Sequence, residues 1–158
     1  MSYDFNADDV FEMAEKIEKN GAVFYRDAAE NVEDEAAKQF LLDLAVMEDE
    51  HYETFSAMRK ELGAKEKAGT VFDPNDEAGQ YLKALADTRV FFKKEIDTTS
   101  MAEILKAAVL AEKDSIVFYL GMKDLVPEKM GAGRIDAIIK EEMSHINLLS
   151  RRLLLEKK

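Results

Sequence analysis

No cysteine occurs in this chain, so disulfides, thiolate nucleophiles, iron–sulfur clusters and cysteine-ligated zinc are all excluded. Any metal ion must be bound through oxygen and nitrogen. Positive charge is also outweighed: 22 Lys and Arg face 33 Asp and Glu, for a net charge of −11. Binding a phosphate backbone needs clustered cations, so no nucleic-acid partner is expected. There are two prolines and seven glycines in 158 residues, while 47% of positions are apolar, a balance that favours an ordered core. No apolar run approaches the roughly 20 residues that span a bilayer. The opening residues Met1-Ser2-Tyr3-Asp4-Phe5 carry neither the basic nor the apolar part of an export signal. A single cytoplasmic domain over residues 1–158, without membrane contact, is expected.

Histidine is scarce too: the chain has two, and each follows a glutamate at the same distance, in Glu48-x-x-His51 and Glu142-x-x-His145. Thirty residues before each of those glutamates stands another, Glu18 and Glu112. One glutamate followed by Glu-x-x-His therefore occurs twice with identical spacing. Residues three apart share one face of a helix, so each motif presents a carboxylate and an imidazole together.

Boundary signals place both copies in long helices. Asn6-Ala7-Asp8-Asp9 caps a first helix expected to reach about Asn31, and a second is expected from about Asp34 to Leu62, stopped by Gly63. Ser100-Met101-Ala102-Glu103 has the form of a capping box for a third helix running to about Val126. Pro127 suits the first turn of a fourth helix reaching about Glu156, although Gly131 and Gly133 blur that start. Residues 63–99 separate the second and third helices, with a turn signal at Asp73-Pro74-Asn75-Asp76 and a short helix expected around Glu77 to Ala86. A link that long can run from one end of a bundle to the other, which lets the second and third helices run parallel. The expected fold class is all-α, a four-helix bundle of two antiparallel hairpins joined by a long crossover containing a short helix.

Alternating steps of three and four residues identify the inward-facing stripes. The second helix reads Ala37, Leu41, Leu44, Glu48, His51, Phe55, Met58, Leu62, and the fourth Ile135, Ile138, Glu142, His145, Leu149. Phe11, Ala14, Glu18, Gly21, Tyr25 and Ala28 line the first, and Leu105, Ala108, Glu112, Ser115, Tyr119 and Met122 the third. The glutamates thus interrupt apolar stripes, where an unpaired carboxylate is costly, and no Lys or Arg in the central layers compensates. Each pair of glutamates lies about 13 to 14 residues from its connecting turn. At about 1.5 Å per residue that is roughly 20 Å, so all six groups can meet at one height. Four carboxylates and two neutral imidazoles balance two divalent cations. Hard oxygen donors with one imidazole per metal suit iron or manganese, with zinc also accommodated.

The segments Glu18-Lys19-Asn20-Gly21-Ala22-Val23-Phe24-Tyr25 and Glu112-Lys113-Asp114-Ser115-Ile116-Val117-Phe118-Tyr119, with the two Glu-x-x-His motifs, resemble the ferritin-like superfamily, specifically the rubrerythrin-type di-iron domain. The resemblance covers essentially the whole chain. It implies a ferritin-like bundle holding two Fe ions, with Glu18 and Glu112 as terminal ligands, Glu48 and Glu142 bridging, and His51 and His145 each capping one metal. It also implies oxidoreductase activity toward H2O2 or O2, protective under oxidative stress. Tyr25 and Tyr119 would donate hydrogen bonds to ligand carboxylates or serve as plain core tyrosines. Gly21 and Ser115 would leave room beside the metals.

The sequence departs from the rubrerythrin pattern at Ser115, where a further glutamate is usual. That leaves a symmetric set of six ligands, closer in ligand count to bacterioferritin centres. With no cysteine there is no rubredoxin domain, so electrons would come from an external donor, a rubredoxin-like protein or reductase, or from a small reductant. No fifth helix is expected after Lys158, which speaks against a ferritin cage. A homodimer is the expected assembly.

Other features have simpler readings. The eight Met residues, including Met47 and Met143, read as core fillers, and no haem is expected. Asp49, Glu50, Asp114 and Glu141 read as parts of solvated faces. Arg152 marks the end of the fourth stripe near Leu149, and Leu153-Leu154-Leu155 packs the bundle end or a subunit contact. A ferroxidase or iron-handling protein, a non-catalytic metal-binding bundle, a manganese catalase and a substrate oxygenase remain alternatives to a di-iron peroxidase or oxidase.

Overall fold

The computed structural model describes residues 7–62, 80–82, 84, 100–126 and 131–156. Four long helices dominate them: α1 (Ala7–Asn31), α2 (Glu35–Lys60), α3 (Met101–Leu125) and α4 (Ala132–Glu156). Their starts follow local chemistry. Asp34 caps α2 by accepting a hydrogen bond from Ala37 N at 2.8 Å, and Ser100 caps α3 by accepting from Glu103 N at 3.3 Å.

Two boundaries differ from expectation. Helix α2 ends at Lys60, with Glu61 as its C-cap, rather than reaching Leu62. Helix α4 begins at Ala132, later than Pro127 implied, because Gly131 supplies the carbonyl that accepts from Arg134 N and Ile135 N. The expected cap Asn6, the stop Gly63, Pro127 and the Asp73–Asp76 turn lie outside the described residues. So does most of the crossover helix, although residues 80–82 and 84 are helical.

Contacts between helices fix their directions. Arg59 near the end of α2 forms a two-toothed pair with Asp8 at the start of α1, at 2.8 and 3.0 Å, which makes α1 and α2 antiparallel. Lys123 of α3 pairs with Asp136 of α4 at 2.9 Å beside their connecting turn. Tyr25 of α1 reaches Glu112 of α3, while Tyr119 of α3 reaches Glu18 of α1. Such crossed contacts require α1 and α3 to run antiparallel, so α2 and α3 are parallel. Tyr81 and Leu82 lie against α3 at Gly121, where a Cβ would lie 3.0 Å from Leu82 Cδ2 and 3.2 Å from a Tyr81 ring carbon.

The core divides into two apolar clusters. One contains Phe11, Phe55, Met58, Phe118, Met122, Ile135 and Ile138; the other contains Leu41, Leu44, Ala28, Ile104, Leu105, Ala108 and Leu149. Between them the four stripes carry Glu18, Glu48, His51, Glu112, Ser115, Glu142 and His145, all buried. Burial of each large apolar side chain contributes about 1.5–3 kcal/mol. The layers above and below thus supply the stability that a polar middle layer spends.

Candidate metal centre

All six residues singled out by spacing come together in that middle layer. Oxygen and nitrogen atoms of Glu18, Glu48, His51 and Glu142 lie within 4.8 Å of one another, as do those of Glu48, Glu112, Glu142 and His145. Each set therefore has its own histidine and its own glutamate, from one hairpin, and the two sets share Glu48 and Glu142.

The shared carboxylates divide their oxygens between the sets. Glu142 Oε1 lies 2.7 Å from His51 Nδ1, while its Oε2 lies 4.0 Å from His145 Nδ1. Glu48 does the reverse, with Oε2 at 3.8 Å from His51 Nδ1 and Oε1 at 3.5 Å from His145 Nδ1. The unshared carboxylates stand at equal distances, Glu18 Oε2 at 3.5 Å from His51 Nδ1 and Glu112 Oε1 at 3.5 Å from His145 Nδ1. The imidazole rings face each other at 5.7 Å between centroids, 19° from parallel. Adding 94 to a residue number in one hairpin gives its counterpart in the other, so a pseudo-twofold relation runs through the centre.

Hydrogen bonding leaves this layer unsatisfied in an ordered way. Glu18 Oε2, Glu48 Oε1, His51 Nδ1, Glu112 Oε2, both oxygens of Glu142 and His145 Nδ1 are buried without a well-formed hydrogen bond, even where His51 Nδ1 and Glu142 Oε1 approach to 2.7 Å. Buried polar atoms in folded proteins are nearly always paired, and seven orphans in one layer call for a ligand that accepts electron pairs. A cation does so, and the donor set of carboxylate oxygens and imidazole nitrogens fits two hard or borderline divalent ions.

Electrostatics agrees. Burial, with the charges of Glu48 and Glu142, holds the Glu18 carboxyl well above its ordinary range, and burial beside Glu48 raises Glu142. Burial also opposes ionisation of Glu48, but its interactions with Glu18, His145 and His51 outweigh that and hold it at about 2. His51 would be lowered by burial, yet Glu142, Glu18 and Glu48 together raise it far above the ordinary imidazole range. Without a cation, then, the crowded negative charge favours retention of protons in this layer. A dication at the same place would displace them.

The two tyrosines are not merely core residues. Tyr25 OH donates to Glu112 Oε1 at 2.7 Å, and Tyr119 OH donates to Glu18 Oε1 at 2.5 Å, each across to the other hairpin. One oxygen of each unshared glutamate is thereby held, and the other, Oε2, is the orphan. Desolvation, reinforced by the surrounding carboxylates, raises both phenols well above 10, so they remain donors. Ser115 turns its hydroxyl away from the cluster, donating to Ala111 O at 3.0 Å. At Gly21 a Cβ would meet Glu48 Cγ at 3.5 Å, an ordinary contact, so the missing side chain leaves space no wider than a methyl group beside Glu48.

Two neighbours escaped the sequence reading. Glu141, read as a solvated charge, places Oε2 2.5 Å from His51 Nε2, and Met47, read as a core filler, places Sδ 3.1 Å from His145 Nε2. Both directly precede a glutamate of the motif, at pseudo-equivalent positions. Their reach is toward the histidine of the opposite hairpin, which spacing along one helix does not reveal.

No family model matches the chain, and no curated protein matches it. Among solved structures, a Thermotoga maritima protein described as a ferritin-like diiron-carboxylate protein is similar over 97% of this chain and 97% of that one, at 27% identity with a TM-score of 0.67. The shared architecture includes the bundle that brings the six residues together.

Proposed function

Because the chain is a ferritin-like helical bundle with a buried carboxylate and imidazole cluster, we propose that it is a di-iron carboxylate oxidoreductase of the rubrerythrin type, reacting with H2O2 or O2. The observation that carries this reading is the layer of inward-facing donor atoms without partners, divided into two sets with two shared carboxylates. Glu18 and His51 would hold one ion and Glu112 and His145 the other, with Glu48 and Glu142 available to both. The description of the similar Thermotoga protein supports iron as the metal.

A bound iron pair supplies Lewis acidity and two reducing equivalents. The chain's own residues do the rest. Tyr119 and Tyr25 hold Oε1 of Glu18 and of Glu112, respectively, and so fix both carboxylates, and the tyrosine hydroxyl protons stay in place because burial disfavours phenolate. The apolar clusters on both sides keep bulk water from the layer. Reduction of H2O2 to two waters consumes two electrons and two protons. A separate donor, a rubredoxin-like protein or a reductase, returns the electrons, since the chain has no cysteine with which to carry its own iron–sulfur relay.

Protein from iron-supplemented cells is expected to contain about two metal ions per chain, as in other bundles with this ligand inventory. Stopped-flow oxidation of the di-ferrous protein by H2O2 and by O2, with released iron measured, tests the activity. Faster reaction with peroxide and retention of iron supports a peroxidase. Faster reaction with O2 and turnover of iron makes the protein a ferroxidase instead. A stable protein that binds no metal would end the proposal.

A further inference from the structure

The pseudo-twofold relation that matches the ligands residue for residue does not extend to the two residues that meet the outer nitrogens of the histidines. Met47 and Glu141 are counterparts, each the residue before a shared glutamate. Each reaches across to the Nε2 atom of the opposite histidine. With Nδ1 of both rings facing the cluster, Nε2 carries the remaining proton of a neutral, metal-binding imidazole. His51 donates that proton to a carboxylate oxygen at 2.5 Å, whereas His145 has a thioether sulfur at 3.1 Å.

These partners are chemically unequal. A carboxylate is a strong charged acceptor, which fixes the ring tautomer and makes the opposite nitrogen a better electron-pair donor; a thioether is a weak acceptor and does little of either. We propose that Glu141 and Met47 make the two metal positions inequivalent: the one formed by Glu18 and His51 fills first and holds its ion tightly, while the one formed by Glu112 and His145 holds a more weakly bound, exchangeable ion. This rests on the di-metal reading above. Glu141 and Met47 act through the histidines and are positioning residues. Because the Glu141 side chain is 61% exposed, solvent weakens its contribution, and the expected difference lies toward the low end of the 10–100-fold range typical of such outer partners.

Two cations sharing two carboxylates repel each other, so stepwise binding alone would not distinguish unequal positions from equal ones. The order in which the histidines are engaged does distinguish them. The chain has only two histidines, so 15N-histidine labelling of the full-length protein gives two ring systems, assigned with H51Q and H145Q. Zn(II), which is diamagnetic, is the probe. During titration of the metal-free protein, the His51 ring is expected to reach its bound state within the first equivalent and the His145 ring during the second.

In the exchanged double variant M47E/E141M the order is expected to reverse, and E141Q, which keeps an uncharged acceptor, should narrow the gap between the steps. Parallel shifts of both rings throughout the wild-type titration would overturn the proposal. So would an unchanged order in the exchanged variant, or, if that variant fails to fold, an unaltered gap in E141Q, whose substitution is at the surface. A protein in which neither ring responds to Zn(II) loses the di-metal reading itself, and this inference with it.

Discussion

At the scale of single residues, the informative fact is how differently four chemically identical glutamates are placed. Glu48 and Glu142 offer both oxygens to the interior, while Glu18 and Glu112 each give one oxygen to a tyrosine of the other hairpin. Substitution should reveal that hierarchy. E48Q and E142Q are expected to lose paired binding altogether, since each removes a donor from both sets, whereas E18Q or E112Q should reduce the stoichiometry toward one ion. Y25F and Y119F should keep two ions, with affinity lowered by about tenfold or more. Equilibrium dialysis with metal analysis separates these classes, and equal loss in all six variants would contradict the assignment. The six candidates were legible because two rare histidines and four glutamates repeat on apolar stripes. Glu141 and Met47 were not, because their partners lie on another helix and nothing along their own helix marks the contact.

At the scale of elements, the helices follow from periodicity and capping, and the later start of α4 traces to backbone geometry. Gly131 illustrates this: its φ of 105° lies where side chains are strained, and its carbonyl starts α4. An added Cβ would also meet Met58 Cε at 2.7 Å, but that atom ends a flexible side chain and can shift. The backbone cost therefore dominates. Gly131→Ala is expected to destabilise the protein by about 1–2 kcal/mol. Gly133, already inside α4 with nothing within 4 Å of its added Cβ, should behave oppositely, and Gly133→Ala should stabilise by up to about 1 kcal/mol. Urea titration of both variants is the measurement, and equal effects of the two substitutions would contradict this account. A sequence reader sees two glycines near a proline and has no means of telling which one must adopt positive φ.

At the scale of the whole molecule, a polar layer between two apolar clusters is a trade of stability for function. Burial of carboxylates in the middle of the bundle is unfavourable without a counter-charge, and neutralising one member of a buried charged set leaves its partner uncompensated. Metal binding reverses the balance: at a free concentration of about 100 times Kd, one ion adds about 2.7 kcal/mol, which for a domain of this size raises Tm by roughly 5–10 °C. The variant E48Q/E142Q separates the two contributions. Its metal-free form is expected to melt below metal-free wild type, because His51 loses two of the carboxylates that favour its charged form, while the increase in Tm on adding metal should vanish. Scanning calorimetry with and without Fe(II) under anaerobic conditions reads both quantities. If the increase in Tm on adding metal instead survived in the double variant, Glu48 and Glu142 would not be the carboxylates shared between two ions. The orphaned oxygens between the clusters would then be left without the occupant assigned to them.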